Sequence, residues 1–268
     1  MRKVIPFACA LMLLFARTGG AQEVPASIAY PGSFWISAGD VVPAERGNVL
    51  GQASFEQGIT VWERGSWFLV PHVNLSAMAD SYGYAWNNRH PARAAVKIVR
   101  RLPGGMVQAG AGMMFEPNAD SDEQWHPTAA VDYWTGWAAE GAAQHGAKFG
   151  GYPGYAWASS GLIAGRDPQN WITTAAAQQG LVVFRSQIFS VVPYAGAAAS
   201  FDTKRRTWEN RVSYDAGVKL VRPMVGGVVE TGIAARRQHE VLTGQVHFAP
   251  VAYVNLWIGW NPRSLFNR

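Results

Sequence analysis

The chain is 268 residues long with a formal net charge of +5, and only 15% of its side chains are charged, against about a quarter in an ordinary soluble domain. Its one cysteine, Cys9, lies in the N-terminal segment. Disulfide frameworks, thiol chemistry and cysteine-built metal sites are therefore excluded from the rest of the chain.

Arg2 and Lys3 precede an apolar run from Val4 to Phe15, and Gly19-Gly20-Ala21 follows. A basic start, a short apolar core and small residues form the three-part pattern of a secretory signal peptide, expected to span 1–21; the run is too short to cross a bilayer. Losing Arg2, Lys3 and Arg17 with it brings the 23 basic residues to 20 against 18 acidic ones. The high pI is then no argument for nucleic acid, and no basic cluster with interleaved aromatics points there. Beyond the leader no stretch approaches the ~18–20 apolar residues of a membrane helix. An exported chain with little charge, 12 Trp and no apolar helix fits a transmembrane β-barrel.

Tyr30-Pro31-Gly32-Ser33-Phe34-Trp35 leads into the first expected strand and returns 122 positions later as Tyr152-Pro153-Gly154-Tyr155-Ala156-Trp157. The same offset carries Gln57-Gly58 onto Gln179-Gly180, Asp80 onto Asp202, and Trp86, Asn88 and Arg89 onto Trp208, Asn210 and Arg211. It also carries Lys97 onto Lys219, Arg100 onto Arg222, and Gly104-Gly105 onto Gly226-Gly227. Trp134-Thr135-Gly136-Trp137 matches Trp257-Ile258-Gly259-Trp260 one residue further on. A register held this long reads as an internal repeat, 30–138 and 152–260.

Each repeat reads as six strands. The first set lies near 33–39, 48–62, 65–79, 87–101, 105–116 and 127–138; the second near 155–162, 170–184, 187–201, 209–222, 227–238 and 246–260. Alternation is the signal, because successive side chains of a strand point to opposite faces. In 65–79, Trp67, Leu69, Val73, Leu75 and Ala77 share one face while His72, Asn74 and Ser76 share the other. In 209–222, Val212, Tyr214, Ala216, Val218 and Leu220 oppose Arg211, Ser213, Asp215 and Lys219. Short turns near 63–65, 102–105, 185–186 and 224–227 alternate with longer loops at 40–47, 79–87, 117–126, 163–169, 202–208 and 239–245. The expected fold is an all-β antiparallel barrel of about twelve strands over 22–268, with both termini on the short-turn, periplasmic side. Segment 139–154 is long for such a turn and reads as the seam between repeats. Trp62, Trp67, Trp137 and Trp260 fall at one end and Trp86 and Trp208 at the other, as the two aromatic girdles of a barrel require. The competing architecture, two tandem soluble six-stranded sheets, would need polar residues over most outward positions.

Strand parity sends Glu56, Asp80, Arg93, Lys97, Glu116, Asp132, Asp202, Arg211, Asp215, Lys219, Glu230 and Arg236 into the lumen. Twelve strands enclose a narrow interior. Two accounts stand: ion pairs that plug the barrel, and a narrow selective channel. Lys97 and Lys219, with Arg100 and Arg222 beside them, are the repeated basic positions for contact with an anionic or sugar-rich ligand. At the outer rim, Asp80 with Arg89 and Asp202 with Arg211 form an expected pair bracing each loop. The alternative is a ligand rim in which Trp86 and Trp208 stack on sugar rings and Asn and Arg bind hydroxyls. Asp120-Ser121-Asp122-Glu123 offers oxygen ligands without the spacing of a calcium loop, so no metal or cofactor is expected. No His-x-Ser pair is present; His72 and Ser76 share a face four residues apart, and His126 precedes Pro127-Thr128, so no catalytic residue is assigned.

Tyr-Pro-Gly-x-x-Trp at 30–35, Gln57-Gly58, Trp86 to Arg89, Gly104-Gly105 and Trp257 to Trp260 together resemble the C-terminal barrel of outer-membrane proteins for phage adsorption and exopolysaccharide export. The resemblance implies a barrel in the outer membrane of a Gram-negative bacterium, among lipid and lipopolysaccharide, with polysaccharide or phage as candidate partners. The large periplasmic helical-repeat region of those proteins has no counterpart in this sequence. The expected function is a narrow channel or surface receptor linked to extracellular polysaccharide; the alternative is a barrel enzyme hydrolysing lipid or glycan.

Overall fold

The computed structural model describes residues 31–40, 42–43, 47–84, 88–116, 125–139, 151–162, 170–206 and 209–260. The leader, Trp86, Trp208, the acidic residues 120–123 and most of the seam, 140–150, lie outside the described residues.

The wall consists of β1 (Gly32–Asp40), β2 (Val49–Gly58), a stub β3 (Trp62–Arg64), β4 (Trp67–Asp80), β5 (Ala92–Leu102), β6 (Gly105–Phe115) and β7 (Trp125–Ala139). It continues with β8 (Tyr152–Leu162), β9 (Ile172–Gly180), a stub β10 (Phe184–Arg185), β11 (Ser190–Asp202), β12 (Arg211–Met224), β13 (Gly227–Glu240) and β14 (Val246–Trp260). Twelve long strands pair antiparallel with their neighbours, and β14 returns to β1 with Trp260 opposite Gly32 and Ala252 opposite Asp40, so the sheet closes on itself. Closure leaves no unpaired edge. Both described ends of the chain and the two-residue turns Pro103-Gly104 and Val225-Gly226 lie at one end of the barrel.

The stubs replace two strands expected to run on to 62 and 184. Both interruptions follow the Gln-Gly pair, and a proline stands across from each. In an antiparallel ladder a residue's N–H and C=O face the same neighbour. Pro71 accepts from the Ile59 N–H at 3.0 Å but has no proton to return, and Pro193 does the same for Leu181 at 3.0 Å. The ladder breaks there.

Side chains sort by parity as the alternation demands. Leu75, Val131, Tyr214, Ile233 and Phe248 point outward, with Ile233 67% and Phe248 61% exposed. Lys97, Lys219, Glu116, His72 and Gln238 point inward and are buried. The core of this molecule is therefore polar and its surface apolar. The lumen is not polar throughout, however: near the turn end Phe68, Val70 and Val99 form a buried apolar cluster, with the Arg101 guanidinium 5.2 Å over the Phe68 ring.

Candidate functional site

At the loop end, Asp80 closes β4 and Asn48 precedes β2. The Asp80 carboxylate accepts from Asn48 Nδ2 at 3.0 Å, from the Gly83 and Tyr84 N–H groups at 2.6 and 2.9 Å, and from Asn88 Nδ2 at 3.2 Å. The same arrangement recurs at Asp202, which accepts from Asn170 Nδ2 at 3.0 Å, the Arg206 N–H at 2.9 Å and Asn210 Nδ2 at 2.5 Å. The expected Asp–Arg braces are thus corrected to Asp–Asn–Asn braces. Arg89 instead lies 3.6 Å from Glu116, and Arg211 stands in register with Ser200 and Glu240. Asn48 and Asn170, each 1% exposed, are the partners that sequence reasoning passed over. They are 32 residues before their aspartates, but the two asparagines share the repeat offset and that signal was readable.

Each loop should depend on its aspartate. Asp202→Ala removes three acceptor contacts, an expected loss of about 1–3 kcal/mol in local stability. Trypsin should then cut at the exposed Lys204-Arg205 step while the wild-type loop resists; equal resistance would show that something else holds the loop.

At mid-height Lys97 of β5 binds Glu56 of β2, and Glu56 is also 3.7 Å from His72 Nε2 and 3.9 Å from Arg93. Asp132 of β7 accepts from Gln108 Nε2 at 3.1 Å and Ser159 Oγ at 2.6 Å. In the other half Lys219 of β12 donates to Gln178 Oε1 of β9 at 2.5 Å and Glu230 Oε1 of β13 at 2.8 Å, between the rings of Tyr155 and Tyr194. Arg236 grips Asp215 through two parallel bonds of 2.6 Å, and Tyr194 meets Tyr253 edge-on at 6.4 Å. Arg100 and Arg222 do not join these clusters. They sit an odd number of residues from Lys97 and Lys219, hence on the outer face, where Arg100 lies 5.1 Å over the Trp67 ring. Ser76 donates to Asn74 Oδ1 at 2.7 Å, one side chain along the same face, rather than to His72.

The remaining repeated motifs meet at the turn end. Gln57 Nε2 donates to the Gly58 carbonyl at 2.9 Å and Trp260 Nε1 donates to Gln57 Oε1 at 3.0 Å. Gln179 does the same with Gly180 at 2.9 Å and Trp137 at 2.9 Å. A Cβ on Gly32 or on Gly154 would lie within 2.5 Å of the Trp260 or Trp137 ring respectively, so the Pro-Gly glycine makes room for the indole. Trp35 faces Trp257, and Trp157 faces Trp134, across the same two strand pairs. These residues lock β14 to β1 and β7 to β8. Trp62, Trp67 and Trp137 are exposed at this end and Trp125 and Trp171 at the other.

A closed antiparallel barrel with an apolar wall, a polar lumen, aromatic residues at both ends and short turns at one end is a bacterial outer-membrane β-barrel. Among the described residues no helix is long and apolar enough to cross a membrane, so the crossing is made by strands. No protein family and no curated protein matches the sequence. Solved structures similar to the chain include the β domain of the Bordetella autotransporter BrkA, at 10% identity and TM-score 0.43 over 87% of this chain and 100% of that one. The COG4313 outer membrane channel of Pseudomonas putida F1 is similar at 7% identity and TM-score 0.43 over 91% and 100%. LpxR of Salmonella typhimurium is similar at 10% identity and TM-score 0.38 over 84% and 99%. The wall itself, not these distant likenesses, carries the assignment of class.

Proposed function

We propose that the protein is a narrow outer-membrane channel whose lumen is constricted at mid-height by charged and tyrosine side chains. The observation that carries this reading is the inward charge set: Lys97 with Glu56, Lys219 with Glu230 and, two inward positions along β12 from Lys219, Asp215 with Arg236 all stand in the lumen. Opposed charges in a tight passage slow bulky solutes and select small ones. In planar bilayers the purified barrel should give small conductance steps. Removing the Tyr253 ring together with the Asp215–Arg236 pair should raise them several-fold. Silence of both proteins at every voltage would overturn the channel.

A second reading, a surface receptor for extracellular polysaccharide or phage, is favoured by the rim. Braced loops hold Arg89 and Arg211 where the strands emerge, and the motifs at 30–35, 86–89 and 257–260 resemble barrels of phage-adsorption and exopolysaccharide-export proteins. Trp86 and Trp208 complete that rim in the proposal.

The barrel is further proposed to be a duplication of 30–138 and 152–260. Two exchanged pairs support it. Glu56 and Gln108 surround Lys97, whereas at the same offset Gln178 and Glu230 surround Lys219. Ala95 faces Gly112 across β5 and β6, whereas Gly217 faces Ala234 across β12 and β13. Each half keeps one acid and one Cβ at each place, on opposite strands.

A further inference from the structure

The two halves of the lumen differ in volume where one of them carries a tyrosine. In the β11–β14 half, the Tyr253 ring packs over Gly232, where a Cβ would come within 2.8 Å of it, and against Tyr194. In the other half the corresponding residues are Ala130, Gly110 and His72. No ring fills that space. A cavity of about 20 Å³ remains, lined among others by His72, Arg93, Lys97, Gln108 and Asp132; it has room for one water or one ion of similar size.

Two of the groups around this cavity, His72 and Arg93, are poorly satisfied. The His72 side chain is 3% exposed, yet neither Nδ1 nor Nε2 makes a hydrogen bond of good geometry: the ring has only a poorly aligned approach to the Val70 backbone, and Nε2 lies 3.7 Å from Glu56. A poorly partnered buried imidazole is costly. Arg93 faces Met114 in register, whereas Asp215 at the corresponding place faces Arg236. Arg93 therefore has no carboxylate opposite it of the kind that grips Arg236, and among the described residues its ion-pair partner is Glu56, at 3.9 Å. The charged residues lining the cavity are Arg93 and Lys97 from β5 and Asp132 from β7, and β6 contributes the amide of Gln108; Glu56 of β2 stands behind them, against Lys97, Arg93 and His72. Two cations balance two carboxylates, and Asp132 is already held by Gln108 and Ser159.

We propose that this cavity is a binding site for one small monovalent anion, of halide size, taken up together with a proton on His72. The imidazolium gives the cluster one net positive charge, which the anion neutralises while accepting from His72 and Arg93. The site lies in the same lumen as the proposed channel but does not require ions to cross it. A barrel that binds the anion and never conducts would refute the channel alone.

The test is bromide titration of the folded barrel in detergent micelles, with histidine ring resonances as the readout and His72 assigned by its loss in His72→Gln. The expected result is a saturable shift of the His72 signal, with affinity tightening by up to about tenfold per pH unit as pH falls over the range in which one proton is taken up. Arg93→Met should abolish it. Ala130→Tyr, which copies the Tyr253 side of the barrel, should fill the cavity and abolish it with the fold retained, as judged by heat-modifiable mobility. A His72 signal indifferent to bromide between about pH 5 and 8, the range in which histidine titrates, or a shift unchanged by both variants, would overturn the site and leave the cavity to water.

Discussion

Lys219→Met should destabilise the barrel by about 3 kcal/mol or more, the cost of removing one partner of a buried ion pair. Lys219 is 6% exposed in its side chain and is the cation beside Glu230, so its loss strands a carboxylate in the lumen. Adding Glu230→Gln should recover most of that loss, because a neutral amide needs no counter-ion. Lys97→Met should cost less, since Glu56 keeps His72 at 3.7 Å and Arg93 at 3.9 Å. Urea midpoints for folding into lipid vesicles, followed by heat-modifiable electrophoretic mobility, measure all four proteins. Equal effects of the two single lysine substitutions would mean that another cation takes over Glu230 as Arg93 and His72 take over Glu56.

Gly112→Ala should cost about 3 kcal/mol or prevent assembly, at or beyond the upper end of ordinary overpacking. An added Cβ would lie 2.5 Å from the Ala95 Cβ and would also strike the Ala94 carbonyl, so backbone as well as side chain must move. In the other half the same cross-strand place holds Gly217 and Ala234, where a Cβ on Gly217 would lie 2.6 Å from that of Ala234. The double variant Ala95→Gly/Gly112→Ala reproduces that arrangement and should restore most of the stability. If the double variant is no better than the single one, the place is not a one-Cβ pair and the exchange between halves is coincidence.

The inward placement of Glu56, Lys97, Asp132, Asp215, Lys219 and Glu230 was legible because strand parity is local: a side chain's face follows from its position within one strand. Long regular strands were legible for the same reason. The interruptions after Gly58 and Gly180 were not, because each depends on a proline in the neighbouring strand rather than on its own residues. Asp80 and Asp202 were rightly placed at the rim, but Arg89 and Arg211 were given a role that belongs to the asparagine immediately before each of them and to Asn48 and Asn170 ahead of the neighbouring strands.

The sequence by itself determined an all-β chain with an apolar outer face, a charged inner face and long loops at one end, because alternation and turn residues are written in consecutive residues. Tertiary structure decided which residues meet. Barrel closure sets Trp260 against Gln57, pairs Asn48 with Asp80 and leaves Ala130 where the opposite half has Tyr253. Those neighbours come from inter-strand register, which joins residues tens to hundreds of positions apart, and from the volume that each side chain fills in a shared lumen.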